Sequence, residues 1–250
     1  MAESAPTYAV STEDHGTVRV LTLDRPDKLN AFTPEGYRAL AGALDQAAAD
    51  PAVAVCVVTG KGRAFSAGVD LDVMSRPGGS AELGADFDPL LARLADFPKP
   101  LVAAVNGLAV GFGATLLLHC DLVVVDEVAR IRMPFIALGT CAEAGSSWLL
   151  PRRVGAQRAA WLVLSGAPLT ADEAVDSGFA FRRAPQGRAL EEALAVAGQI
   201  AAHRVPALIA NKRLLRHGVA QRIDEVWQRE KAAMAELARE LGPIGWSRRA

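Results

Sequence analysis

The sequence predicts an α/β fold that ends in a helical region. Short apolar runs rich in valine, such as residues 53–59 and 101–105, alternate with stretches of helical character. This alternation is typical of strands buried on both faces and connected by helices. After residue 190 only helical patterns remain. We therefore expect repeated ββα units over residues 1–190, although no residue-level repeat is visible, and a helical region over residues 191–250.

The first quarter of the chain predicts two strands, a loop and a capped helix. Strands are expected at residues 8–11 and 17–23, around a turn that contains Gly16. Proline and asparagine make residues 25–32 a loop. Thr33 then has the chemistry of a helix cap and Pro34 suits the first helical position, so a helix is expected up to about residue 48.

The remaining elements follow from the same signals of periodicity, capping and glycine. Thr170 and Glu173 have the spacing of a capping box, and Gly178 predicts the end of that helix. The expected strands are residues 53–59, 101–105, 121–125 and 130–132. The expected helices are residues 82–96, 111–119, 145–153, 156–165, 171–177, 190–202, 206–216 and 219–241. Residues 242–250 are expected to be a tail or a subunit contact.

Composition excludes several classes of partner. The 250 residues are 51% hydrophobic and 22% charged, which is ordinary for a soluble globular protein. A net charge of -1 argues against nucleic acid or an anionic membrane as the main partner. The three cysteines have no metal-ligand spacing and fit free thiols in a reducing compartment. With no export signal at the start and no apolar run of the ~20 residues that span a bilayer, a cytoplasmic location is expected.

Two glycine-rich junctions and one glutamate predict a reaction site. Gly68 before Val69, and Gly111 before Phe112, each end a strand-like run and open a helix-like run. Unpaired N–H groups at a helix start favour negative charge, and two such junctions facing one another would hold an oxyanion. Glu143 adds a carboxylate in an otherwise apolar neighbourhood. The sequence therefore predicts a site that stabilises an enolate and contains one general acid/base.

An ordered set of motifs carries a resemblance to a known family. The motifs are Arg25-Pro26-Asp27-Lys28-Leu29-Asn30-Ala31-Phe32, Phe65-Ser66-Ala67-Gly68-Val69-Asp70, Ala104-Val105-Asn106-Gly107, Gly111-Phe112-Gly113-Ala114, Cys120-Asp121-Leu122, and Ala171-Asp172-Glu173-Ala174 with Gly178. Over roughly residues 8–240 the chain resembles the enoyl-CoA hydratase/isomerase family, the crotonases. The resemblance implies a spiral of ββα turns whose helical C-terminal region, residues 191–250, contributes to oligomerisation and covers the pocket, in a homotrimer or a dimer of trimers. It also implies an acyl-CoA thioester as substrate, with no cofactor beyond its CoA moiety and no metal.

The resemblance assigns the reacting groups. It implies that the backbone N–H groups of Val69 and Phe112 stabilise the thioester enolate. The two glutamates of hydratases in the family would correspond to Thr115 and Phe135, so both are absent here. Glu143 instead occupies the position of the carboxylate in isomerases that convert 3-enoyl-CoA to 2-enoyl-CoA, taking a proton from carbon 2 and returning it to carbon 4. The 4-chlorobenzoyl-CoA dehalogenases place a nucleophilic aspartate there.

The resemblance also assigns binding residues, each with a structural alternative. Candidates for contacts to CoA are the side chains of Arg25, Lys28 and Lys61 and the backbones of Leu29 and Ala67. For the charged residues, ordinary surface solubility is an equal alternative. The expected substrate pocket contains Gly68, Asp70, Leu71, Gly111, Thr115 and Phe135. For Asp70 the stronger alternative is stabilisation of the helix that it begins.

Three functions remain open at this point. Isomerisation of a 3-enoyl-CoA by Glu143 is favoured, because hydration without either family glutamate should be slow. Hydration or thioester hydrolysis by the same carboxylate and a bound water is the alternative within the fold. A non-catalytic protein that binds acyl-CoA is an alternative of another class.

Overall fold

A computed structural model describes residues 9–242, which form two sheets covered by helices. The strands are β1 Ala9–His15, β2 Val18–Asp24, β3 Val55–Gly60, β4 Ala64–Ser66, β5 Leu101–Val105, β6 Leu108–Val110, β7 Leu122–Asp126, β8 Arg130–Arg132, β9 Leu169–Thr170 and β10 Arg182–Ala184. The first sheet has the order β1-β2-β3-β5-β7-β10, and the second has the order β4-β6-β8-β9.

The predicted ββα repeat is confirmed by how consecutive strands divide between the sheets. Strands β3, β5 and β7 are parallel neighbours in the first sheet. The strands that follow them, β4, β6 and β8, are parallel neighbours in the second sheet. Each of these three units therefore contributes one strand to each sheet, whereas β1 and β2 both belong to the first sheet. Because β4 and β6 are paired, the two junctions that follow them lie side by side.

Ten α-helices are present within the described residues. They are α1 Pro34–Ala49, α2 Leu71–Ser75, α3 Gly79–Asp96, α4 Phe112–Thr115, α5 Ser146–Val154, α6 Ala156–Ser165, α7 Ala171–Asp176, α8 Ala189–Ala201, α9 Val205–Leu215 and α10 Val219–Leu241. The predicted caps are confirmed: Thr33 accepts a hydrogen bond from the Gly36 amide, and Thr170 and Glu173 form the capping box.

The differences from the predicted elements are local. The helix expected at 111–119 is a four-residue α-helix followed by a 3-10 helix at Leu116–His119. The helix expected at 82–96 begins earlier, at Gly79. Strands β9 and β10 were not predicted, since two or three residues are too few to show a period. Strands β4 and β6 and helix α2 correspond to the strand-like and helix-like runs at the two junctions, for which no bounds were predicted. Residue 8 of the first expected strand, and residues 243–250, lie outside the described residues.

The central strands are buried on both faces, as their valine-rich runs predict. One face of the first sheet packs against α8, where Ala193 and Val196 join a cluster with Val57 and Val102. The other face joins the larger core, which includes Leu40 of α1. Helix α8 is therefore packed on the strand core, and a division of the chain at residue 190 stays a prediction.

Helix α10 packs against other helices. Its buried residues are Ile223, Val226, Trp227 and Glu230, and it contacts α3 and α5. Within residues 9–242 no single helix is long and apolar enough to cross a membrane; the pair α8 and α9, bent by 105°, passes that test by length and composition only.

Candidate active site

The junctions after β4 and β6 touch through their backbones. Gly68 has a φ of +87°, and a Cβ atom added there would lie 2.5 Å from the Val110 carbonyl oxygen and 3.3 Å from the Phe112 nitrogen. A Cβ atom on Gly113 would lie 2.4 Å from the Ser66 carbonyl oxygen. Contacts this short exclude a side chain at either position. The two glycines therefore let one junction approach the other closely.

The amides of Val69 and Phe112 are available as donors. The Phe32 amide donates to the Gly68 carbonyl oxygen at 2.7 Å, and the Asp70 amide donates to the Phe32 carbonyl oxygen at 2.8 Å, which fixes Val69 between them. Phe112 is the first residue of α4, where an N–H group has no partner within the helix. Within the part of the chain that the structure describes, no acceptor lies in hydrogen-bond range of either amide.

Glu143 shares a cavity with both amides. Val69, Phe112 and Glu143 line a space of about 120 Å³. A second space of about 300 Å³ adjoins it, because Val69, Met74, Glu143 and Met234 line both. The second cavity is otherwise mostly apolar. The arrangement places the residues that carry the carboxylate and the two amides around one volume, with room beside it for an acyl group.

The environment of Glu143 raises its proton affinity. Burial, and secondarily the negative charge of Glu230, raise the pKa of Glu143 to about 7. No group within residues 9–242 donates a hydrogen bond to its carboxylate. A carboxyl group with a pKa near neutrality can both accept and return a proton, which suits general acid/base chemistry.

The loop that carries Glu143 is held in an unusual conformation. Ala144 has a φ of +57°, in the left-handed region that non-glycine residues rarely adopt. His119 lies in hydrogen-bond range of the Ala144 carbonyl oxygen, with its Nε2 atom at 2.9 Å. Burial lowers the pKa of His119 to about 3, so the ring is neutral and supports the loop without acting as a base.

Known proteins are similar to this chain over most of its length. A family model described as enoyl-CoA hydratase/isomerase matches residues 13–241. The chain is 41% identical to a 2,3-dehydroadipyl-CoA hydratase of Escherichia coli, over 89% of this chain and 84% of the relative. It is 43% identical to a 1,2-epoxyphenylacetyl-CoA isomerase of the same organism, over 64% of each chain. A crystal structure of an enoyl-CoA hydratase/isomerase from Pseudoalteromonas atlantica superposes with a TM-score of 0.85 at 34% identity, covering 92% of this chain and 91% of the other.

The chain belongs to the enoyl-CoA hydratase/isomerase family. Its relatives include proteins named as hydratases and one named as an isomerase, so membership does not select between the two reactions. The two positions that would correspond to the glutamates of family hydratases, Thr115 and Phe135, therefore bear on the choice between the reactions. Thr115 is fully buried and donates to the Phe112 carbonyl oxygen at 3.4 Å, away from the lining of either cavity. Phe135 lines the cavity of about 120 Å³.

Two of the candidate binding residues, Arg25 and Asp70, form an ion pair with each other. Arg25 Nη1 lies 2.6 Å from Asp70 Oδ2, and the two side chains are only 14% and 6% exposed. The other oxygen of Asp70 accepts hydrogen bonds from the amides of Asp72 and Val73. Burial acts to raise the pKa of Asp70, but Arg25 and these amides outweigh it, so the pKa lies below its usual range. Neither side chain lines the two cavities, and Asp70 caps α2.

The other candidate binding residues have partners within the chain. Lys28 pairs with Asp72 at 3.0 Å and Lys61 pairs with Asp24 at 2.7 Å, and both lysines are more than half exposed. The Ala67 amide donates to the Leu29 carbonyl oxygen at 2.9 Å. Of the predicted pocket residues, Leu71 and Gly111 also line the cavity of about 120 Å³. Among the described residues, no group of three or more His, Cys, Asp or Glu is placed to hold a metal ion.

Sequence reasoning expected the helical C-terminal region to cover the pocket, but it named no residue of α10 as lining the site. Met234 lines both cavities, and Trp227 and Lys231 line the larger one. The same helix buries Glu230 near Glu143. One signal was available: Glu230 follows Val226 by four residues and Trp227 by three, so it falls on their apolar face of the helix. A carboxylate on such a face requires partners, and the sequence does not show which.

Proposed function

We propose that this protein isomerises a 3-enoyl-CoA to the 2-enoyl-CoA, with Glu143 as the single acid/base. One observation carries the proposal: among the described residues that line the cavity with the Val69 and Phe112 amides, Glu143 is the only ionisable one. A double-bond shift needs one proton removed and one returned on the same molecule, so one carboxylate suffices. This supports isomerisation over a reaction that needs two positioned carboxylates.

In the proposed mechanism the thioester carbonyl oxygen accepts hydrogen bonds from both amides. Ionised Glu143 removes a proton from carbon 2, and the electron pair moves onto the thioester oxygen as an enolate. In comparable oxyanion holes each donor is worth about 3 kcal/mol. The protonated Glu143 then gives the proton to carbon 4, and the double bond forms between carbons 2 and 3. The enzyme and its protonation state are restored.

Hydration of a 2-enoyl-CoA is the second candidate, and one observation favours it. The Thr140 Oγ1 atom is buried without a hydrogen-bond partner among the described residues, and Thr140 lines the same cavity as Glu143. A water held between Thr140 and Glu143 would add its hydroxyl to carbon 3 while carbon 2 takes a proton. The same water attacking the thioester carbonyl would give thioester hydrolysis. The 41% identical relative is named as a hydratase.

The experiment measures turnover of a 3-enoyl-CoA and a 2-enoyl-CoA by the wild type, Glu143→Gln and Thr140→Val. The proposal expects isomerisation that is lost in Glu143→Gln and retained in Thr140→Val. Hydration that is lost in both variants would establish the second candidate instead. Acyl-CoA binding without turnover of either substrate by the wild type would select a non-catalytic binding protein.

For CoA we propose a path that runs from the cavity past Ala67 and Leu29 towards Lys28 and Lys61. Ala67 lines the cavity and its amide is bonded to Leu29, so the two lie on one route outward. Exposed ion pairs are weak, and a CoA phosphate would compete for either lysine. Arg25 would act through Asp70 and the shape of the loop. Weaker CoA binding in Lys28→Ala and Lys61→Ala, measured by calorimetry, would support this path, and unchanged binding would exclude it.

We also propose a homotrimer or a dimer of trimers in the cytoplasm. Trp161 and Leu164 of α6 are 61% and 69% exposed in the single chain, as expected of a surface that another subunit covers. The three cysteines are free thiols, which fits a reducing compartment. Light scattering of the purified protein would give the number of subunits, and a monomer would refute the assembly.

A further inference from the structure

A second buried carboxylate, Glu230, supports the loop that carries Glu143. Glu230 lies on α10 and is 5% exposed. Its Oε2 atom accepts a hydrogen bond from the Gly145 amide at 2.8 Å. Its Oε1 atom accepts from the Ser147 amide at 3.0 Å and from the Ser147 hydroxyl at 2.6 Å. All three donors lie within four residues of Glu143, so the C-terminal helix fixes this loop through one side chain.

The two carboxylates have opposite surroundings. Burial raises the pKa of Glu230, but the Ser147 and Gly145 donors oppose that rise by stabilising the ionised form. Glu143 has burial without such donors, and the charge of Glu230 adds to the effect. When neighbouring carboxyl groups differ in this way, the proton resides on the one with fewer donors. Glu230 is therefore the anion of the pair and Glu143 the proton carrier.

Other titratable groups near Glu143 do not offset the negative charge of Glu230. Lys231 of α10 and Asp88 of α3 line the larger cavity, but they pair with each other at 2.8 Å. On the loop itself, burial raises the pKa of the Cys141 thiol, which stays neutral. His119, from the 3-10 helix after α4, is also neutral. Arg229, next to Glu230 on α10, favours the ionised form of Glu230. Burial and the charge of Glu230 remain the influences that raise the pKa of Glu143.

The same contacts support the strained backbone beside Glu143. Ala144 keeps its positive φ while His119 bonds to its carbonyl oxygen and Glu230 bonds to the next amide, that of Gly145. Backbone strain of this kind persists only where the surrounding structure fixes it, and it clusters at functional sites. The conformation of the loop and the protonation of Glu143 thus depend on the same side chain.

We propose that Glu230 is a positioning residue for the reaction: it holds the Glu143 loop in place and, as the ionised partner, makes Glu143 a stronger base. The inference rests on the proposed function for its catalytic consequence. It assigns a role to α10 beyond lining the pocket. No contact between Glu230 and substrate is involved.

The pH dependence of kcat/KM separates this role from simple structural support. In the wild type, kcat/KM should rise with pH through about 7, as Glu143 ionises to become the base. In Glu230→Gln the amide keeps the size of the side chain and removes its charge, so the rise should move to lower pH. The ratio of variant to wild-type kcat/KM should then be several-fold larger at about pH 5.5 than at about pH 8.5, since each unit of pKa is tenfold in ionised fraction.

A matched control removes the same charge from the exposed face of the same helix. Glu225 is exposed and pairs only with Arg222 among the described residues. The profile of Glu225→Gln should match the wild type. A loss of activity in Glu230→Gln that is equal at every pH, or an equal shift in both variants, would overturn the proposal.

A direct titration tests the inference without any substrate. With ¹³C in the glutamate side-chain carboxyl groups, the Glu143 signal is identified by its absence in Glu143→Gln. Its midpoint should fall in Glu230→Gln, and an unchanged midpoint would overturn the proposal. If the midpoint falls but the protein converts no enoyl-CoA, the interaction of Glu230 with Glu143 is upheld and the proposed reaction is refuted. If Glu230→Gln does not fold, Ser147→Ala removes one donor from Glu230 and should shift the midpoint in the same direction by less.

Discussion

The two junctions that supply the amide donors are held by different forces. Phe112 is buried in a cluster of rings, with centroids 5.0 Å from Phe32, 5.5 Å from Tyr37 and 4.9 Å from Phe87. Val69 lies between Gly68 and Asp70, whose backbones are both hydrogen-bonded to Phe32. It is also next to the Arg25–Asp70 pair and nearer the surface. One amide is thus positioned by apolar packing and the other by hydrogen bonds and charge. A backbone amide can thus be positioned either by apolar packing or by hydrogen bonds and charge. Mutations and changes of pH should therefore affect the two junctions differently.

The largest expected effect is on the Phe112 junction, which is held by apolar packing. Phe112→Ala keeps the backbone amide but removes a fully buried ring, which costs about 3–5 kcal/mol of the free energy of unfolding. Val69→Ala keeps its amide too and removes a partly exposed side chain, so its cost should be much smaller. Urea denaturation of both variants measures the difference. Equal losses would mean that packing does not distinguish the junctions.

The next effect separates the junctions from each other. Gly68→Ala would bring a Cβ atom within 2.5 Å of the Val110 carbonyl oxygen, so the two backbones must move apart. Loss of one oxyanion donor typically lowers kcat by about 10²–10³-fold. Turnover of the 3-enoyl-CoA measures this. Gly42→Ala, in α1 with open space around the site of the new Cβ, is the control and should keep full activity. A Gly68→Ala enzyme as active as the control would show that the close approach is not required.

A smaller effect on stability is expected at the Val69 junction, which is held by hydrogen bonds and charge; below it is called the polar junction. Asp70→Asn removes the charge that Arg25 pairs with, and hydrogen bonds to charged groups contribute about 1.5–3 kcal/mol each. Because the folded state lowers the pKa of Asp70, this contribution is present above the ordinary aspartate pKa of 3.8 and is lost as the pH falls below it. The stability of the wild type should therefore approach that of Asp70→Asn in acid. A difference in melting temperature that stays constant from neutral to acid pH would contradict the assignment.

The smallest effect concerns the rim of the polar junction. The Lys28–Asp72 pair is exposed, and such pairs contribute about 0–1 kcal/mol. Lys28→Ala should leave the melting temperature nearly unchanged. The variant should still raise KM for acyl-CoA a few-fold, by an amount that shrinks in high salt because screening weakens the phosphate contact in the wild type. A clear loss of stability in Lys28→Ala would show that the rim supports the junction.

The parts of the molecule that depend on local sequence were predictable. Valine-rich runs, the Thr33 and Thr170 caps and the two glycine junctions are each set by neighbouring residues, and the structure has them in the expected order. The family resemblance led to Glu143, and the structure places it beside both junctions. Periodicity could not show the break between α4 and its 3-10 helix, since both keep the side chains buried.

The parts that depend on long-range pairing were not predictable. Arg25 was a candidate for phosphate binding because its charge is visible, while its partner Asp70 lies 45 residues away. Glu230 lies on the apolar face of α10, and its donors at Gly145 and Ser147 are 85 and 83 residues distant. A sequence shows which groups need partners. The fold decides where the partners come from.

The position of α10 also sets the order in which the protein becomes competent during synthesis. The last strand of the sheets ends at Ala184, whereas the residues of α10 that reach the site begin at Trp227. A chain growing from its N-terminus therefore contains all ten described strands, and the Val69 and Phe112 amides proposed to bind the oxyanion, before Glu230 or Met234 has been made. A product that stops short of α10 would contain Glu143 on a loop without its support. Only a chain translated through α10 would contain the complete site.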